Sequence, residues 1–176
     1  MVGTINKLGT QDPTLIQQPP TEILDLWDRP DPFVVPISVG PEHIDELVHA
    51  SNVHYLEWLQ VCAWQHSTAV GLPPDKMIAT GCGMAVREVR MSYLLATVAG
   101  DQLWVANWIV HCDGRVRATR AFQILRVSDL ACVMRAEIDY ICINVASGRP
   151  RRMPAEFITA YSVSPLTVGD KPTRLP

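Results

Sequence analysis

The clearest pattern of hydrophobic positions spans residues 52–70, a segment that contains neither glycine nor proline. Gly71 and the pair Pro73-Pro74 follow this segment, which is typical of the end of a helix. Apolar side chains cover most of the circumference of the predicted helix: Tyr55, Leu56, Trp58, Leu59, Cys62, Ala63 and Trp64. Because a surface helix keeps one polar face, we predict that this helix of about five turns is largely buried.

The hydrophobic pattern then changes to a period of two, which is typical of strands. Polar and apolar residues alternate at 88–93, as expected for a strand with one solvated face. A first strand is predicted before the helix at 33–39, and three more follow at 103–112, 116–126 and 131–145. Short turns such as Asp113-Gly114 join antiparallel neighbours, so these strands form a meander.

One apolar helix and an antiparallel meander pack most economically when the sheet curls around the helix. We therefore predict an α+β protein with the hot-dog fold, an antiparallel sheet of about five strands wrapped around one long central helix. Proline placement agrees, because seven of the 14 prolines lie at or before Pro41, five lie at or after Pro150 and none falls at 75–149. A sheet, which excludes proline from its central strands, fits that stretch.

The predicted organisation is an irregular N-terminal extension at 1–32, a single domain at 33–160 and an irregular tail at 161–176. The 176 residues, of which 48% are hydrophobic and 19% charged, suffice for one core. Four apolar residues of the extension are predicted to form an amphipathic turn that docks on the domain: Ile23, Leu24, Leu26 and Trp27.

Charge and cysteine usage exclude several classes of function. Fifteen Lys and Arg against 18 Asp and Glu give a net charge of −3, which argues against binding to nucleic acid through its phosphates. The five cysteines form no C-x-x-C pair, so we expect reduced core thiols rather than disulfides or a zinc site. No apolar run reaches the length of about 18–20 residues that spans a bilayer, and residues 1–20 lack a signal-peptide pattern. We expect a cytoplasmic protein without a membrane span.

Phosphate-binding loops and a G-x-S-x-G nucleophile motif are absent from the sequence. Gly81-Cys82-Gly83 is predicted to be a flexible approach to a strand. His49, His54 and His66 are separated by five and then twelve positions, a spacing with which no single metal could bind all three along a helix face. No metal site and no cofactor are expected.

Two segments resemble those of a known family. The first places Asp45, His49, Asn52, Tyr55 and Trp58 in the spacing D-x-x-G-H-x-N-N-x-x-Y-x-x-W/F. The second, at 148–154, is similar to G-R-P-x-R-I-P. Both patterns occur in acyl-CoA thioesterases of the hot-dog fold that are related to 4-hydroxybenzoyl-CoA thioesterase, and the resemblance covers residues 33–157.

Three positions depart from the family pattern. Val48 stands where the family has glycine, and we expect this bulkier residue to change the backbone path beside the substrate carbonyl. Ser51 replaces the first Asn and is predicted to cap the helix that begins at Asn52. His43 stands where many members carry another acid.

The resemblance implies hydrolysis of an acyl-CoA thioester. In this interpretation Asp45 attacks the carbonyl or activates water, and His49 positions substrate or water. The N–H of Asn52, at the positive end of the helix dipole, points at the thioester oxygen. The structural alternatives are an Asx turn or helix cap for Asp45 and a hydrogen-bonded structural role for His49.

The remaining candidate residues would bind substrate. Tyr55 and Trp58, one helical turn apart, are predicted to form either core or the wall of an acyl pocket. Arg149, Arg151 and Arg152 lie within four positions and are suited to the phosphates of coenzyme A, although solvated basic loops are common. Arg87 and Arg90 either extend this patch or lie on an ordinary solvated strand face. The other tryptophans, Trp64, Trp104 and Trp108, either line an acyl pocket or fill the core.

The expected partner is an acyl-CoA substrate, and the resemblance implies a homodimer or a dimer of dimers with the active site at the interface. Pairing would also protect the edges of the sheet. Two alternatives remain open. One is a non-catalytic module that binds acyl-CoA or acyl-carrier protein, and the other is a hot-dog hydratase or dehydratase.

Overall fold

A computed structural model of the chain describes residue 19 and residues 21–163. Its helices are α1 (Thr21–Leu24), α2 (Asn52–Ala69), α3 (Pro74–Thr80) and α4 (Ala155–Ala160), and a 3-10 turn lies at Pro41–His43. Its strands are β1 (Phe33–Ser38), β2 (Cys82–Tyr93), β3 (Gln102–Cys112), β4 (Arg117–Arg126) and β5 (Cys132–Asn144).

The five strands of this part of the chain form one antiparallel sheet in the order β1-β3-β4-β5-β2. Strands β3, β4 and β5 are a meander, whereas β1 and β2 join its two edges. Helix α2 lies on one face of the sheet, and the main core fills the space between them with Leu59, Cys62, Phe122, Ile124 and Ile138. This is the predicted α+β hot-dog arrangement, in which a sheet packs around one long helix.

The opposite face of the sheet is covered by the segment that begins with α1. Ile23 and Trp27 pack there against Trp104 and Trp108, and Arg135 holds the carboxylate of Asp28 through two nitrogens. The indole of Trp108 also donates to Pro30 O over 2.8 Å. The predicted docking turn is therefore present, but only Ile23 and Trp27 are buried, while Leu24 and Leu26 remain exposed. It explains two of the tryptophans as packing residues under α1.

The sequence places the strands within a few residues of their observed bounds, except that β2 begins earlier. Cys82 and Gly83 already pair with Asn144 and Ile143, so the predicted flexible approach is wrong. Only Gly81, which ends α3 with a φ of 66°, lies outside the strand. Pro73-Pro74, read as the end of one helix, also marks the start of α3, because proline fits the first helical position.

Helix α2 is buried along one side only, so the prediction of a largely buried helix is wrong for the single chain. Val53, Leu56 and Trp64 are exposed, and Leu56 and Trp64 line a cavity between α2 and the sheet. No helix among the described residues is long and apolar enough to cross a membrane. Residues 1–18 and 20 of the predicted extension and residues 164–176 of the predicted tail lie outside the part that the structure describes.

Candidate active site

The loop between β1 and α2 places the candidate catalytic residues. Asp45 N–H donates to His49 O over 2.9 Å, and Val48 N–H donates to Asp45 O over 3.0 Å. Ile44 and Ala50 form an isolated antiparallel bridge that closes this loop, and Ala50 N–H donates to Thr97 O over 2.9 Å. The loop is therefore a compact turn tied to the protein body, with Asp45 and His49 at the start of α2.

The tight turn requires a left-handed residue at Val48, whose φ is 64°. Glycine adopts this conformation without strain, but a β-branched residue rarely does. Val48 is also 72% exposed, so packing does not explain its presence. The valine thus takes a backbone conformation that suits the glycine of the family pattern, at a cost in strain.

The turn opens onto a surface cleft of about 320 Å³, which we term the loop cleft. Four of the predicted site residues line it: Asp45, His49, Asn52 and Tyr55. Tyr93, Leu94 and Leu95, at the end of β2 and just after it, form the facing wall. The structure therefore brings the predicted catalytic residues together in one cavity.

The carboxylate of Asp45 and the imidazole of His49 are exposed in the loop cleft and do not form a hydrogen bond with each other. Asp45 Oδ1 accepts from Leu47 N–H over 2.8 Å, which is the Asx turn considered as the structural alternative. Asp45 Oδ2 and the His49 imidazole have no hydrogen-bond partner within residues 21–163. One carboxylate oxygen is therefore available to a substrate or a water molecule.

The N-terminus of α2 supplies donors beside this carboxylate. Ser51 occupies the N-cap position as predicted, but its hydroxyl makes no capping hydrogen bond. Its backbone N–H donates instead to His43 O over 2.9 Å. The Ser51 carbonyl accepts from His54 N–H over 3.0 Å, whereas the N–H groups of Asn52 and Val53 receive no acceptor from the Ser51 side chain. The N–H of Asn52 lies at this end of the helix, where the dipole favours negative charge.

Tyr55 and Trp58 differ in their surroundings, although both are buried. The Tyr55 hydroxyl lies 2.9 Å from Thr97 Oγ1, and its side chain lines the loop cleft. The Trp58 ring packs against Tyr55 and His43, at centroid distances of 4.9 and 5.4 Å, within the main core. Of the two predicted roles, Tyr55 has the position of a pocket wall and Trp58 that of a core residue.

The three arginines of the second family motif lie far from the loop cleft of their own chain. Arg149, Arg151 and Arg152 are exposed in the loop after β5, whose end pairs with Cys82 at the start of β2. The cleft lies at the opposite end of β2, beside Tyr93. Eleven residue steps along a strand span roughly 35 Å. The structure therefore does not bring these arginines and Asp45 together within one chain.

Arg90 does not join this basic patch. Its guanidinium contacts the carboxylates of Glu88, Glu137 and Asp139 at 2.7, 3.1 and 3.3 Å. These hydrogen bonds raise its pKa further above the ordinary value. Among the described residues, no group of three His, Cys, Asp or Glu side chains is arranged to hold a metal ion.

A second cavity, also of about 320 Å³, lies between α2 and the side of the sheet formed by β5 and β2. We term it the inner cavity. Its walls are mostly apolar, with Leu56 and Trp64 from α2, Met84 and Val89 from β2, and Ile138 and Tyr140 from β5. Of the tryptophans proposed for an acyl pocket, Trp64 lines this cavity.

Arg120 brings a charge into the inner cavity, and the sequence analysis did not identify it. Its Nη1 donates to His66 Nδ1 and Asn107 Oδ1 over 2.8 and 2.9 Å, and Nη2 donates to Ser67 Oγ over 2.9 Å. The alternation along β4 could have identified it. Arg120 is two positions from both Ala118 and Phe122, so its side chain points to the same face of the sheet, toward α2.

Burial keeps the neighbours of Arg120 uncharged. Burial, with the charge of Arg120, lowers the pKa of His66 to about 4, so its Nδ1 accepts from the guanidinium at neutral pH. The 3.2 Å separation of His66 Nδ1 and Asn107 Oδ1 is then a contact between two acceptors that share one donor. Burial also raises the pKa of Tyr140 and of Cys62 to about 12, so neither group is ionised at neutral pH.

The fold agrees with that of known proteins. A 1,4-dihydroxy-2-naphthoyl-CoA thioesterase from Synechocystis aligns with a TM-score of 0.67 and 16% identity, covering 74% of this chain and 96% of the other. A Staphylococcus aureus protein solved in complex with CoA aligns with a TM-score of 0.70 and 20% identity, covering 78% and 88%. A probable thioesterase from Escherichia coli aligns with a TM-score of 0.63 and 18% identity, covering 74% of this chain and 99% of the other. These likenesses establish the hot-dog fold.

The sequence comparison identifies the family. No curated protein matches the chain significantly. The sequence model of the thioesterase-like superfamily matches residues 39–160, which are 122 of the 176 residues. This range includes the loop cleft and the loop with Arg149, Arg151 and Arg152, which we term the arginine loop. With this match over more than two thirds of its length, the chain belongs to the thioesterase-like superfamily.

Proposed function

We propose that the protein hydrolyses an acyl-CoA thioester to the free acid and coenzyme A. Membership of the thioesterase-like superfamily supports thioester hydrolysis in general. The observation that carries the finer proposal is the loop cleft, in which Asp45, His49 and Asn52 line one cavity at the N-terminus of α2. This arrangement places a carboxylate and backbone hydrogen-bond donors around one cavity.

Asp45 is the proposed nucleophile or general base. As nucleophile, its carboxylate attacks the thioester carbon, the C–S bond breaks, and the thiolate of coenzyme A leaves and takes a proton. Water then hydrolyses the mixed anhydride and restores the carboxylate. As base, Asp45 takes a proton from the water that attacks the same carbon, the C–S bond breaks, and the departing thiolate takes up a proton, which restores the carboxylate. Both routes place negative charge on the carbonyl oxygen, where the N–H of Asn52 donates, and His49 positions substrate or water.

The arginine loop would act across a dimer. Strand β2 is an edge of the sheet, and antiparallel pairing of two β2 strands reverses their ends. Arg149, Arg151 and Arg152 of one subunit would then lie beside the loop cleft of the other. We therefore propose a homodimer, or a dimer of dimers, in which these arginines bind the phosphates of coenzyme A held at the partner's cleft. The cytoplasmic location expected from the sequence stays a prediction.

Release of free thiol from short, medium, long and aromatic acyl-CoAs tests the proposal. We expect Asp45→Asn to abolish turnover and to leave the melting temperature nearly unchanged, because Asp45 is exposed and Asn retains an oxygen for the Leu47 N–H. Glu46→Gln is the matched control, since it removes a neighbouring exposed carboxylate and should keep full activity. Retained turnover in Asp45→Asn would eliminate the assigned role.

A non-catalytic binding module is the second candidate. The Asx turn that occupies Asp45 Oδ1, and the lack of a hydrogen bond to His49 within residues 21–163, favour it. This function predicts saturable binding of acyl-CoA to the wild-type chain without release of thiol, and the same binding to Asp45→Asn.

A further inference from the structure

The inner cavity contains a buried positive charge that has no counter-charge. Arg120 is only 4% exposed, and no carboxylate of residues 21–163 forms an ion pair with it. Its partners His66, Asn107 and Ser67 are neutral acceptors. A buried charge is costly unless an opposite charge accompanies it. The cavity therefore favours a ligand that brings a negative charge.

The guanidinium also has hydrogen-bonding capacity to spare. Arginine has five N–H donors, and the three bonds to His66, Asn107 and Ser67 leave Nε–H and one N–H of Nη2. Arg135 uses the same two nitrogens to hold the carboxylate of Asp28, at 2.6 and 2.9 Å. A carboxylate held by Nε and Nη2 is thus a geometry that this protein already contains.

The remaining walls define the size and character of the ligand. Among the described residues, Arg120 is the one charged residue that lines the inner cavity, and the other lining residues are apolar or neutral. Tyr140 lines it as a phenol, because burial raises its pKa to about 12, and its hydroxyl has no hydrogen-bond partner in the described part of the chain. A volume of about 320 Å³ suits one aromatic ring or a short acyl chain.

We propose that the inner cavity binds an apolar group that carries a carboxylate, held by Arg120 with Tyr140 as a second donor. The cavity includes Leu56, which is one helical turn beyond Asn52 of the loop cleft. If the protein is a thioesterase, this group is the acyl part of the substrate, with its carboxylate at the end remote from the thioester. That identification rests on the proposed function, whereas binding of a free carboxylate does not.

Calorimetric titration of the full chain with benzoate and with benzamide tests the binding site directly. The two probes have nearly the same shape but differ in charge, and we expect benzoate to bind at least about tenfold more tightly. Arg120→Met should remove this preference. Arg117→Met is the matched control, because it removes an exposed arginine three positions earlier in β4 and should retain the preference. Equal binding of both probes, or benzoate binding that survives Arg120→Met, would overturn the proposal.

Two milder variants test the same site if Arg120→Met does not fold. Arg120→Lys keeps the charge but loses the two-point geometry, and Tyr140→Phe removes one hydroxyl. Each should weaken benzoate binding several-fold while circular dichroism stays unchanged. Wild-type affinity in both folded variants would show that Arg120 only joins α2 to β4.

A matched pair of substrates then separates this proposal from the thioesterase proposal. We expect kcat/KM for 4-carboxybenzoyl-CoA to exceed that for 4-methylbenzoyl-CoA at least about tenfold, and Arg120→Met to reverse the order. Thiol release without such a preference would refute the carboxylated acyl group but leave thioester hydrolysis intact. Arg120-dependent benzoate binding without any thiol release would refute hydrolysis and leave the carboxylate site intact.

Discussion

Val48 shows how a single residue can carry strain in a functional loop. Its φ of 64° lies in the left-handed region, and its side chain is exposed. We expect Val48→Gly to raise the free energy of unfolding by about 1 kcal/mol, because it removes the strain and loses little packing. Urea denaturation measures the change. Leu47→Gly is the matched control, because Leu47 is about equally exposed but does not have a positive φ. This variant should lower the free energy of unfolding.

His66 makes stability depend on pH. Its pKa of about 4 in the folded chain lies below the ordinary value of 6.5, so the unfolded chain takes up a proton first as the pH falls. The free energy of unfolding should therefore decrease between about pH 6.5 and 4, by up to about 3 kcal/mol, and should not depend on His66 above that window.

The variant His66→Asn isolates this contribution. Its amide oxygen is as many bonds from the backbone as Nδ1 and can still accept from Arg120, but it does not titrate. We expect urea denaturation at pH 7 and pH 4.5 to differ less for the variant than for the wild type. The same difference in both proteins would contradict the assigned pKa.

Residue-scale chemistry could be predicted from the sequence only where the residues are close along the chain. Asp45, His49 and Asn52 lie within eight positions, so one local motif contains them. The cluster around Arg120 combines α2, β3 and β4, and its His66 bond joins residues 54 positions apart. Only the register of the strands brings these groups together.

The α1 segment is an element whose stability contribution can be tested at one side chain. The Trp27 ring packs edge-on against Trp108, at a centroid distance of 6.3 Å, and is nearly fully buried. We expect Trp27→Ala to lower the free energy of unfolding by about 3 kcal/mol, as for other large-to-small changes in a core. Denaturant titration followed by tryptophan fluorescence measures this loss.

Trp27→Phe separates packing from hydrogen bonding at this position. The indole N–H of Trp27 is buried and has no acceptor in the described part of the chain, so its loss should not be costly. Trp27→Phe should therefore destabilise much less than Trp27→Ala. Equal losses would indicate that the indole has a partner.

The long elements and the short α1 segment were predicted, whereas helices α3 and α4 were not. Strong periodicity defined α2 and the strands, because their apolar positions recur over ten residues or more. Helices α3 and α4 have seven and six residues, too few to be stable without tertiary contacts. Their buried anchors, Met77 and Phe157, pack into the second core cluster with Leu72 and Cys142.

At the scale of the whole molecule, the distance between Asp45 and the arginine loop predicts complementation between subunits. At limiting acyl-CoA, Asp45→Asn should be inactive, and the triple variant Arg149, Arg151 and Arg152→Ala should be weakly active. Refolding them together in equal amounts should restore about a quarter of wild-type activity, because half of randomly assorted dimers are mixed and each has one intact site.

Complementation would fail if each chain held a complete site. In that case the mixture would show only the mean of the two separate activities. A triple variant with an unchanged KM for acyl-CoA would also argue for an ordinary solvated loop. Sedimentation at the assay concentration confirms that the mixed sample is dimeric.

The sequence predicted this molecule's architecture but not the exposed side of α2. Apolar residues around the whole helix indicated full burial, yet Val53 is exposed, and Leu56 and Trp64 are partly exposed beside the inner cavity. Hydrophobic periodicity predicts which residues are buried, but it does not identify the surface that buries them. A cavity and a subunit interface leave the same pattern as a core.

The strand order β1-β3-β4-β5-β2 has a consequence for protein synthesis. Phe33 of β1 pairs with Asn107 of β3, which the ribosome adds 74 residues later. Because synthesis proceeds at about 5–20 residues per second, β1 and α2 stay exposed for several seconds before the strands that bury them are made. Strands β4 and β5, in contrast, pair with the strand made just before them. The first half of the nascent chain is therefore the part that most needs protection from aggregation by ribosome-associated chaperones.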